Sequence, residues 1–127
     1  MAVPKRVKTG GIRYKGHKLD VASGPGDYPI ALIPSTSGCG VMGLSVTPDS
    51  AGLDDTFSVA YVNTTATTGG IVIKQIAESM YNIGGSISIQ LDFSAMQIVD
   101  SGHSIRFTYT NVANVAMPVY ITVEAIG

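Results

Sequence analysis

One glycine-rich pattern in this chain has the spacing of a nucleotide-binding loop. Residues 38–43 read Gly-Cys-Gly-Val-Met-Gly, which matches GxGxxG letter by letter. In a dinucleotide site these glycines open a helix whose N-terminal amides bind the pyrophosphate. Residues 44–48, Leu-Ser-Val-Thr-Pro, instead have the pattern of a strand followed by a breaker. The pattern therefore predicts a glycine-rich β-turn and no bound cofactor.

Potential metal ligands are few and scattered. The chain has two histidines, His17 and His103, and a single cysteine, Cys39, and the three are far apart in the sequence. Zinc sites need clustered His and Cys, and calcium loops need a denser pattern of Asp, Asn and Gly than the pair Asp54-Asp55 provides. We expect no metal site, and a single cysteine allows no internal disulfide.

Nucleophilic catalysis has equally little support. Cys39 or a serine could be combined on paper with His103 and Asp100, but no nucleophile elbow is present. Asp100 and His103 flank a glycine turn, where we expect a solvated histidine. The sequon at Asn63 lies in a predicted loop. The sequence therefore predicts no catalytic residues and a protein that is not an enzyme.

The strongest functional signal is the distribution of charge. Six of the eight basic residues lie within the first eighteen positions, and no acidic residue interrupts them. They are Lys5, Arg6, Lys8, Arg13, Lys15 and Lys18. The net charge of −1 therefore combines a segment of +6 with a remainder of −7. Such asymmetry indicates binding to a negatively charged partner, and we predict these six cations as partner-binding residues.

The basic segment is predicted to be an extended arm over residues 1–18. It contains Pro4 and three glycines, and its few apolar residues are scattered between cations. It cannot bury enough apolar area to fold alone. We expect it to become ordered on a neighbour, where residues 11–14 could add an edge strand.

The remainder of the chain, residues 19–127, is predicted to be one β-domain. Apolar and polar residues alternate in runs that Gly, Pro and Asn turns separate. The predicted strands are residues 19–22, 28–33, 41–47, 56–62, 70–76, 86–93, 104–110 and 118–126. Ile89, Leu91, Phe107 and Ile121 fall on apolar faces and are predicted core residues. One short helical turn is predicted around residues 77–82.

About eight strands in one compact domain predict an antiparallel β-sandwich of jelly-roll type. An immunoglobulin-like sandwich is the alternative, although the chain has neither a tryptophan nor a cysteine pair. Charged residues are only 13% of the chain, about half the usual share of ≈ 25%. Such a surface suits close neighbours in a permanent assembly, and a Ser/Thr-rich monomer is the alternative. No apolar run reaches the roughly 18–20 residues of a membrane span, so we expect no membrane association.

In overall design the chain resembles the small decoration, or cement, proteins of tailed bacteriophage capsids. The shared features are the basic arm, the charge-poor β-domain rich in Ser, Thr and Gly, and the ending on a strand at Ile126-Gly127. The resemblance implies a jelly-roll subunit on the outer capsid surface of the virion. It also implies the major capsid protein as partner, bound through the arm, and a homo-oligomer, most simply a trimer.

Two other functions fit the same composition. A carbohydrate- or receptor-binding β-sandwich, such as a fibre head, would need a cluster of exposed aromatic residues. Tyr61, Tyr81 and Tyr120 are the candidates outside the predicted core, and they are dispersed. A coat protein that binds nucleic acid through its phosphates is the other alternative, but Tyr14 is the only aromatic residue of the arm, so we expect no nucleic-acid partner.

Overall fold

The computed structural model describes residues 12–32, 39–49, 51–77, 83–85 and 89–126. These residues form nine β-strands. They are β1 (Ile12–Val21), β2 (Gly26–Leu32), β3 (Cys39–Pro48), β4 (Ala51–Val62), β5 (Val72–Ala77), β6 (Ile83–Gly85), β7 (Ile89–Val99), β8 (Ser104–Asn111) and β9 (Met117–Ile126). The described part of the chain contains no helix. In particular, Ala77 ends β5, and the rest of the predicted helical turn lies outside the described residues.

Two antiparallel sheets form the sandwich. The β1 sheet has the order β1-β9-β3-β7, and the β2 sheet has the order β2-β8-β4-β5, with the short β6 also pairing β4. Strand β1 pairs β9, β2 pairs β8, β3 pairs β7 and β4 pairs β5. The chain is therefore one long antiparallel ribbon that folds back and forth between the sheets. This is a jelly roll, as predicted, with β6 in addition to the eight main strands.

The strand order rules out the immunoglobulin-like alternative. In that fold the first two strands are neighbours in one sheet, whereas β1 and β2 lie in different sheets here. The choice between the two folds therefore rests on the strand order. The missing tryptophan and the missing cysteine pair do not decide it.

The core lies between the sheets and follows the two-residue period of the strands. In β8 the buried residues Ile105, Phe107 and Tyr109 alternate with partly exposed ones. Phe107 is fully buried and stacks on Phe57 of β4, with ring centroids 5.2 Å apart. Ile121 of β9 is also fully buried. The predicted faces of these two strands are confirmed.

Two predictions about the core were wrong in part. Ile89 and Leu91 are only partly buried, because β7 is an edge strand of the β1 sheet and has one open flank. Tyr61 was placed outside the core, but it is 4% exposed. Its ring packs inward on β4, and its hydroxyl still finds a polar partner, since it donates to Asp100 Oδ2 over 3.3 Å.

Strand β1 begins earlier than the sequence predicted. The boundary predicted after Lys18 falls inside it, because residues 12–21 pair with β9 without interruption from Ile12–Ile126 to Val21–Met117. The prediction missed residues 12–18 of this strand because they include several cations. An edge strand can carry charged residues on both of its faces. The remaining part of the predicted arm, residues 1–11, lies outside the described residues.

Replacement of Phe107 by Ala tests the core. The variant loses a fully buried ring and its stacking on Phe57, so we expect the free energy of unfolding to fall by about 3–5 kcal/mol. Urea denaturation followed by circular dichroism measures this. Val112→Ala, at an exposed position in the loop after β8, serves as the control and should change stability by less than about 0.5 kcal/mol. A loss below about 1 kcal/mol in the Phe107 variant would contradict the burial.

Candidate interaction surface

Among the described residues, the most enclosed carboxylate has a structural role. Asp55 of β4 is fully buried. Its Oδ2 accepts a hydrogen bond from the Tyr109 hydroxyl over 2.6 Å, and its Oδ1 accepts from the backbone N–H groups of Val112 and Ala113 over 2.7 and 3.1 Å. A buried carboxylate bonded in this way fixes the loop after β8. Asp54 is therefore exposed, whereas Asp55 is a core residue whose carboxylate oxygens accept hydrogen bonds. Among the described residues, no three His, Cys, Asp or Glu lie close enough to hold a metal ion.

Asn111 fixes the same end of the sandwich. Its side-chain Nδ2 donates to the carbonyl oxygens of Ala22, Gly24 and Val115, and its Oδ1 accepts from the backbone N–H of Asn114 over 3.1 Å. Asn114 has a φ of 62°, which asparagine tolerates better than most residues. These bonds tie the connection between β1 and β2 to the connection between β8 and β9.

The combination of His103 and Asp100 is not arranged for catalysis. His103 Nδ1 lies 2.9 Å from the carbonyl oxygen of Ser101, to which it donates when protonated. The His103 ring stacks on Tyr61 at 5.5 Å. The Asp100 carboxylate accepts from the Tyr61 hydroxyl instead of orienting the imidazole. Both residues therefore stabilise the turn before β8, and His103 is partly buried where the sequence predicted a solvated residue.

The described part of the glycine-rich pattern, residues 39–43, lies in a strand, whereas the sequence predicted a glycine-rich β-turn there, with the strand beginning only at residue 41. Residues 39–48 form β3, and no helix follows them. A Cβ added at Gly40 would overlap the side chain of Met96, and one at Gly43 would lie 2.5 Å from the carbonyl oxygen of Leu91. These two glycines therefore allow β7 to lie closely over β3. These close contacts account for Gly40 and Gly43 without a nucleotide.

The cations of β1 do not share one face. Register with β9 places Arg13, Lys15 and His17 on the side of the strand that faces the other sheet, and Lys18 on the outer side. Arg13, Lys15 and Lys18 are all exposed. Lys18 Nζ lies 3.6 Å from Asp20 Oδ1. Cations on an edge strand also discourage pairing with another chain. The other three predicted partner-binding residues lie outside the described part of the chain; they are Lys5, Arg6 and Lys8.

An exposed apolar segment runs along the free side of the β2 sheet. We call residues Ile71, Val72 and Ile73 the β5 edge; they are 68%, 50% and 53% exposed. The loop before them is held firmly. Asn63 Oδ1 accepts from the backbone N–H of Ile71 over 2.6 Å, and Arg106 donates to the carbonyl oxygen of Gly69 over 2.7 Å. The loop is therefore preorganised, and it presents three adjacent β-branched side chains to solvent.

The β5 edge is poorly suited to strand addition. Its pairing with β4 is interrupted twice, once between Val59 and Ala60 and once between Tyr61 and Val62. Bulges twist an edge away from further pairing, and a lysine such as Lys74 has the same effect. A partner would therefore contact this edge through side chains.

A second apolar surface surrounds a large bulge of β7. Between the register pairs Val41–Gln97 and Gly43–Asp92, residues 93–96 of β7 stand opposite a single residue of β3. The displaced segment leaves a pocket of about 350 Å³ on the outer face of the β1 sheet. We call it the bulge pocket; it is lined by Met42, Asp92, Phe93, Met96, Glu124 and Ile126. Sequence reasoning missed it.

The bulge pocket has apolar walls and an acidic rim. Met96 and the neighbouring Ile98 are about half exposed. Gln90 Nε2 donates to Glu124 Oε1 over 2.8 Å and to Asp92 Oδ1 over 3.2 Å, so one neutral amide holds both carboxylates. Apolar side chains beside two carboxylates are complementary to a basic peptide that also carries apolar residues.

Aromatic residues give the carbohydrate-binding alternative no support. Tyr14 and Tyr120 are exposed on the outer face of the β1 sheet. Tyr14 pairs with Glu124, which is four residues from Tyr120 along β9, so the two rings are separated by about 13 Å of strand. Tyr61 is buried, and Tyr81 lies outside the described residues.

Comparison with known proteins shows the fold. No protein-family model matches the sequence, and no curated protein matches it significantly. A chain from the capsid asymmetric unit of cyanophage Pam1 has a TM-score of 0.55 at 12% identity, over 92% of this chain and 85% of that chain.

Two further solved structures also come from viruses. Infectious bursal disease virus, Gx strain, gives a TM-score of 0.46 at 9% identity over 91% of this chain and 32% of that chain. Tomato aspermy virus gives 0.44 at 17% identity over 90% and 78%. At these sequence identities the similarity shows the fold alone, and that conclusion rests on the cyanophage chain. No helix within the described residues is long and apolar enough to cross a membrane.

The Asp55–Tyr109 bond makes an alkaline transition predictable. Burial, with the hydrogen bond and negative charge of Asp55, raises the pKa of Tyr109 above its ordinary value of 10.0. Tyr109 thus ionises in the unfolded chain at a pH where it stays neutral in the folded one. Its contribution to stability is complete below pH 10 and is lost as the pH rises above it, at about 1.4 kcal/mol per pH unit.

Tyr109→Phe should remove this slope. It should also lower the free energy of unfolding at pH 7 by about 1–3 kcal/mol, because one Asp55 oxygen loses its donor. Denaturant unfolding from pH 7 to 11 gives both quantities. Tyr120→Phe, at an exposed ring, should leave them unchanged. Parallel stability curves for the wild type and Tyr109→Phe above pH 10 would contradict the prediction.

Proposed function

We propose that this protein is a structural virion protein: a capsid decoration, or cement, subunit that binds the outer capsid surface and stabilises the shell. It acts as a homo-oligomer, most simply a trimer, with the major capsid protein as its partner, and it is not an enzyme. The β5 edge is the observation that carries this proposal. Three adjacent apolar side chains, each at least half exposed, stand on a loop held by hydrogen bonds. On a monomer such a surface promotes aggregation, whereas in a permanent assembly it provides apolar contact area.

The fold supports the same function. The chain shares its jelly roll with a chain from the capsid asymmetric unit of cyanophage Pam1, at nearly full length on both sides. Fold alone does not determine function, so the β5 edge and the charge distribution must support it independently. A shell subunit needs contact area and complementarity. The exposed apolar edge and the low charge content supply both.

The basic arm supplies the second part of the proposal. Its six cations attach the subunit to an acidic surface, while the β-domain makes the apolar contacts. Arg13, Lys15 and Lys18 lie on a regular strand of the sheet. Lys5, Arg6 and Lys8 precede that strand in the sequence.

Location in the virion tests the proposal directly. Purified particles should contain the protein in a fixed ratio to the major capsid protein, and quantitative mass spectrometry of the particles measures that ratio. Ile71→Thr/Ile73→Thr keeps β-branched side chains but adds hydroxyl groups at the β5 edge, so occupancy should fall while the melting temperature stays nearly constant. Val112→Thr changes an exposed apolar residue elsewhere and should have no effect. Absence of the protein from particles would refute the proposed function.

Charge removal in the arm gives a separate prediction. Replacing Lys5, Arg6 and Lys8 by Ala should lower particle occupancy, because these cations act together although each exposed contact contributes only about 0.2–1 kcal/mol. The melting temperature should stay nearly the same. Raising the salt concentration should release part of the wild-type protein, since exposed charges are screened over roughly 10 Å at 0.1 M.

A charge-preserving variant is the matched control for the arm. Lys5→Arg/Arg6→Lys/Lys8→Arg keeps three cations and should retain occupancy across the salt series. If the alanine variant also binds like the wild type, the domain makes the essential contact and the arm does not.

A further inference from the structure

We propose that His17 is an acid-sensitive switch: its neutral ring keeps β1 packed against the sandwich, and protonation of the ring loosens the strand. The inference goes beyond the proposed function and does not depend on it, because it concerns the isolated protein. Three features of the molecule support it: an enclosed ring nitrogen, the charges around the ring and the edge position of β1.

The His17 ring lies where the hydrophobic core meets solvent. His17 shares the inward side of β1 with the buried Leu19 and Val21, and its register partner Ile121 is fully buried. Its Nε2 atom is enclosed and has no hydrogen-bond partner in the described part of the chain. A neutral imidazole can carry its single proton on Nδ1, whereas in the imidazolium both nitrogens are donors. Protonation would therefore leave a charged N–H group without an acceptor inside the sandwich, which is unfavourable.

The groups that face His17 also disfavour a proton on its ring. Arg13 and Lys15 lie on the same side of β1, and both are cations. On the inward side of β2 the titratable residue is Tyr28, a phenol that stays neutral in acid and donates to a backbone carbonyl. Residues 33–38, which follow β2, contain no titratable side chain. The β9 residues that pair with the inward positions of β1 here are all apolar; they are Val119, Ile121, Val123 and Ala125.

These surroundings lower the pKa of His17. Burial, with the charge of Lys15, holds this pKa below its ordinary value of 6.5. A released β1 therefore takes up a proton at His17 as the pH falls through 6.5, while the packed strand keeps the ring neutral to lower pH. The stability of the packed strand is complete above pH 6.5 and is lost as the pH falls from there towards the lowered pKa. Because one proton is involved, the equilibrium between packed and released β1 changes by at most about tenfold per pH unit.

The position of β1 makes a local response to this protonation possible. Strand β1 is an edge strand and pairs with β9 alone in its sheet, whereas β8 lies between β2 and β4. Local opening of an edge strand breaks fewer contacts than unfolding of the whole domain, so an unfavourable charge at His17 acts first on β1. Release of the strand would free its cations, including Arg13 and Lys15, from their fixed positions.

Amide hydrogen exchange of the full-length protein at pH 7.5 and pH 5.5 tests the proposal. Each rate is divided by that of an unstructured peptide at the same pH, because the exchange chemistry itself depends on pH. The protection of β1 amides should fall severalfold at pH 5.5, by at most about tenfold, and that of β8 amides should fall less. No loss of protection in β1, or equal losses in β1 and β8, would overturn the proposal.

Two variants separate the charge of the His17 ring from its shape. His17→Phe keeps an aromatic ring and His17→Gln keeps a polar side chain, and neither side chain titrates. Each should remove the difference in β1 protection between the two pH values, so one folded variant is enough for the test. His103→Gln removes the other histidine of the chain and should keep the difference. If the loss in β1 persists in the His17 variants, another group causes it and the proposal is refuted.

An NMR titration of the wild-type imidazole gives a readout that needs no substitution. The pKa of His17 should lie below 6.5, while the amide signals of β1 shift or broaden over the same pH range. A pKa at or above 6.5, or amide signals of β1 that do not respond to the titration of the ring, would contradict the proposal.

Discussion

The whole fold depends on antiparallel pairing between the first and second halves of the chain. Strand β1 pairs with the last strand, β9, and of the four pairs of this ribbon only β4 and β5 follow each other directly in the chain. Each outer pair closes a longer loop than the one inside it, but the entropic cost of closure grows only slowly with loop length. Hydrogen bonds of Asn63, Ser104 and Arg106 hold the innermost loop in place. This loop places the β5 edge at the surface, where the proposed function requires apolar contacts.

The sequence predicted best the strands whose two faces meet different surroundings. In β8 and β9 one face is buried and the other is partly exposed, so alternation alone located both strands and identified Phe107 and Ile121 as core residues. Edge strands were harder, because one flank is open and the two faces differ less. For this reason the strand predicted here began only at residue 19, although β1 begins at Ile12. For the same reason Ile89 and Leu91 were predicted to be more deeply buried than they are. No local pattern could show that β1 pairs with β9, because that pairing depends on packing of the whole chain.

The bulge pocket had a signal in the sequence, although a weak one. Val41 and Leu44 are both fully buried but stand three residues apart, an odd spacing that a regular strand cannot give to one face. Together with Gly43 inside a strand, this spacing is typical of a bulge. What the sequence could not show is the size of the irregularity, since four residues of β7, 93–96, stand opposite a single residue of β3. The acidic rim was equally hidden, because Asp92 and Glu124 meet only through the pairing of both strands with β3.

The placement of these surfaces bears on the proposed homo-oligomer. The cationic edge of the β1 sheet is β1, and the bulge lies at the opposite edge, β7. A smaller cavity, lined by Lys74 and Ile76 of β5 as well as by Phe93 of β7, connects the bulge with the side of the sandwich that carries the β5 edge. The bulge pocket itself begins at β9, the neighbour of β1, because Glu124 and Ile126 line it. Contact between unlike surfaces is heterologous, and such contacts form closed rings when the rotation permits.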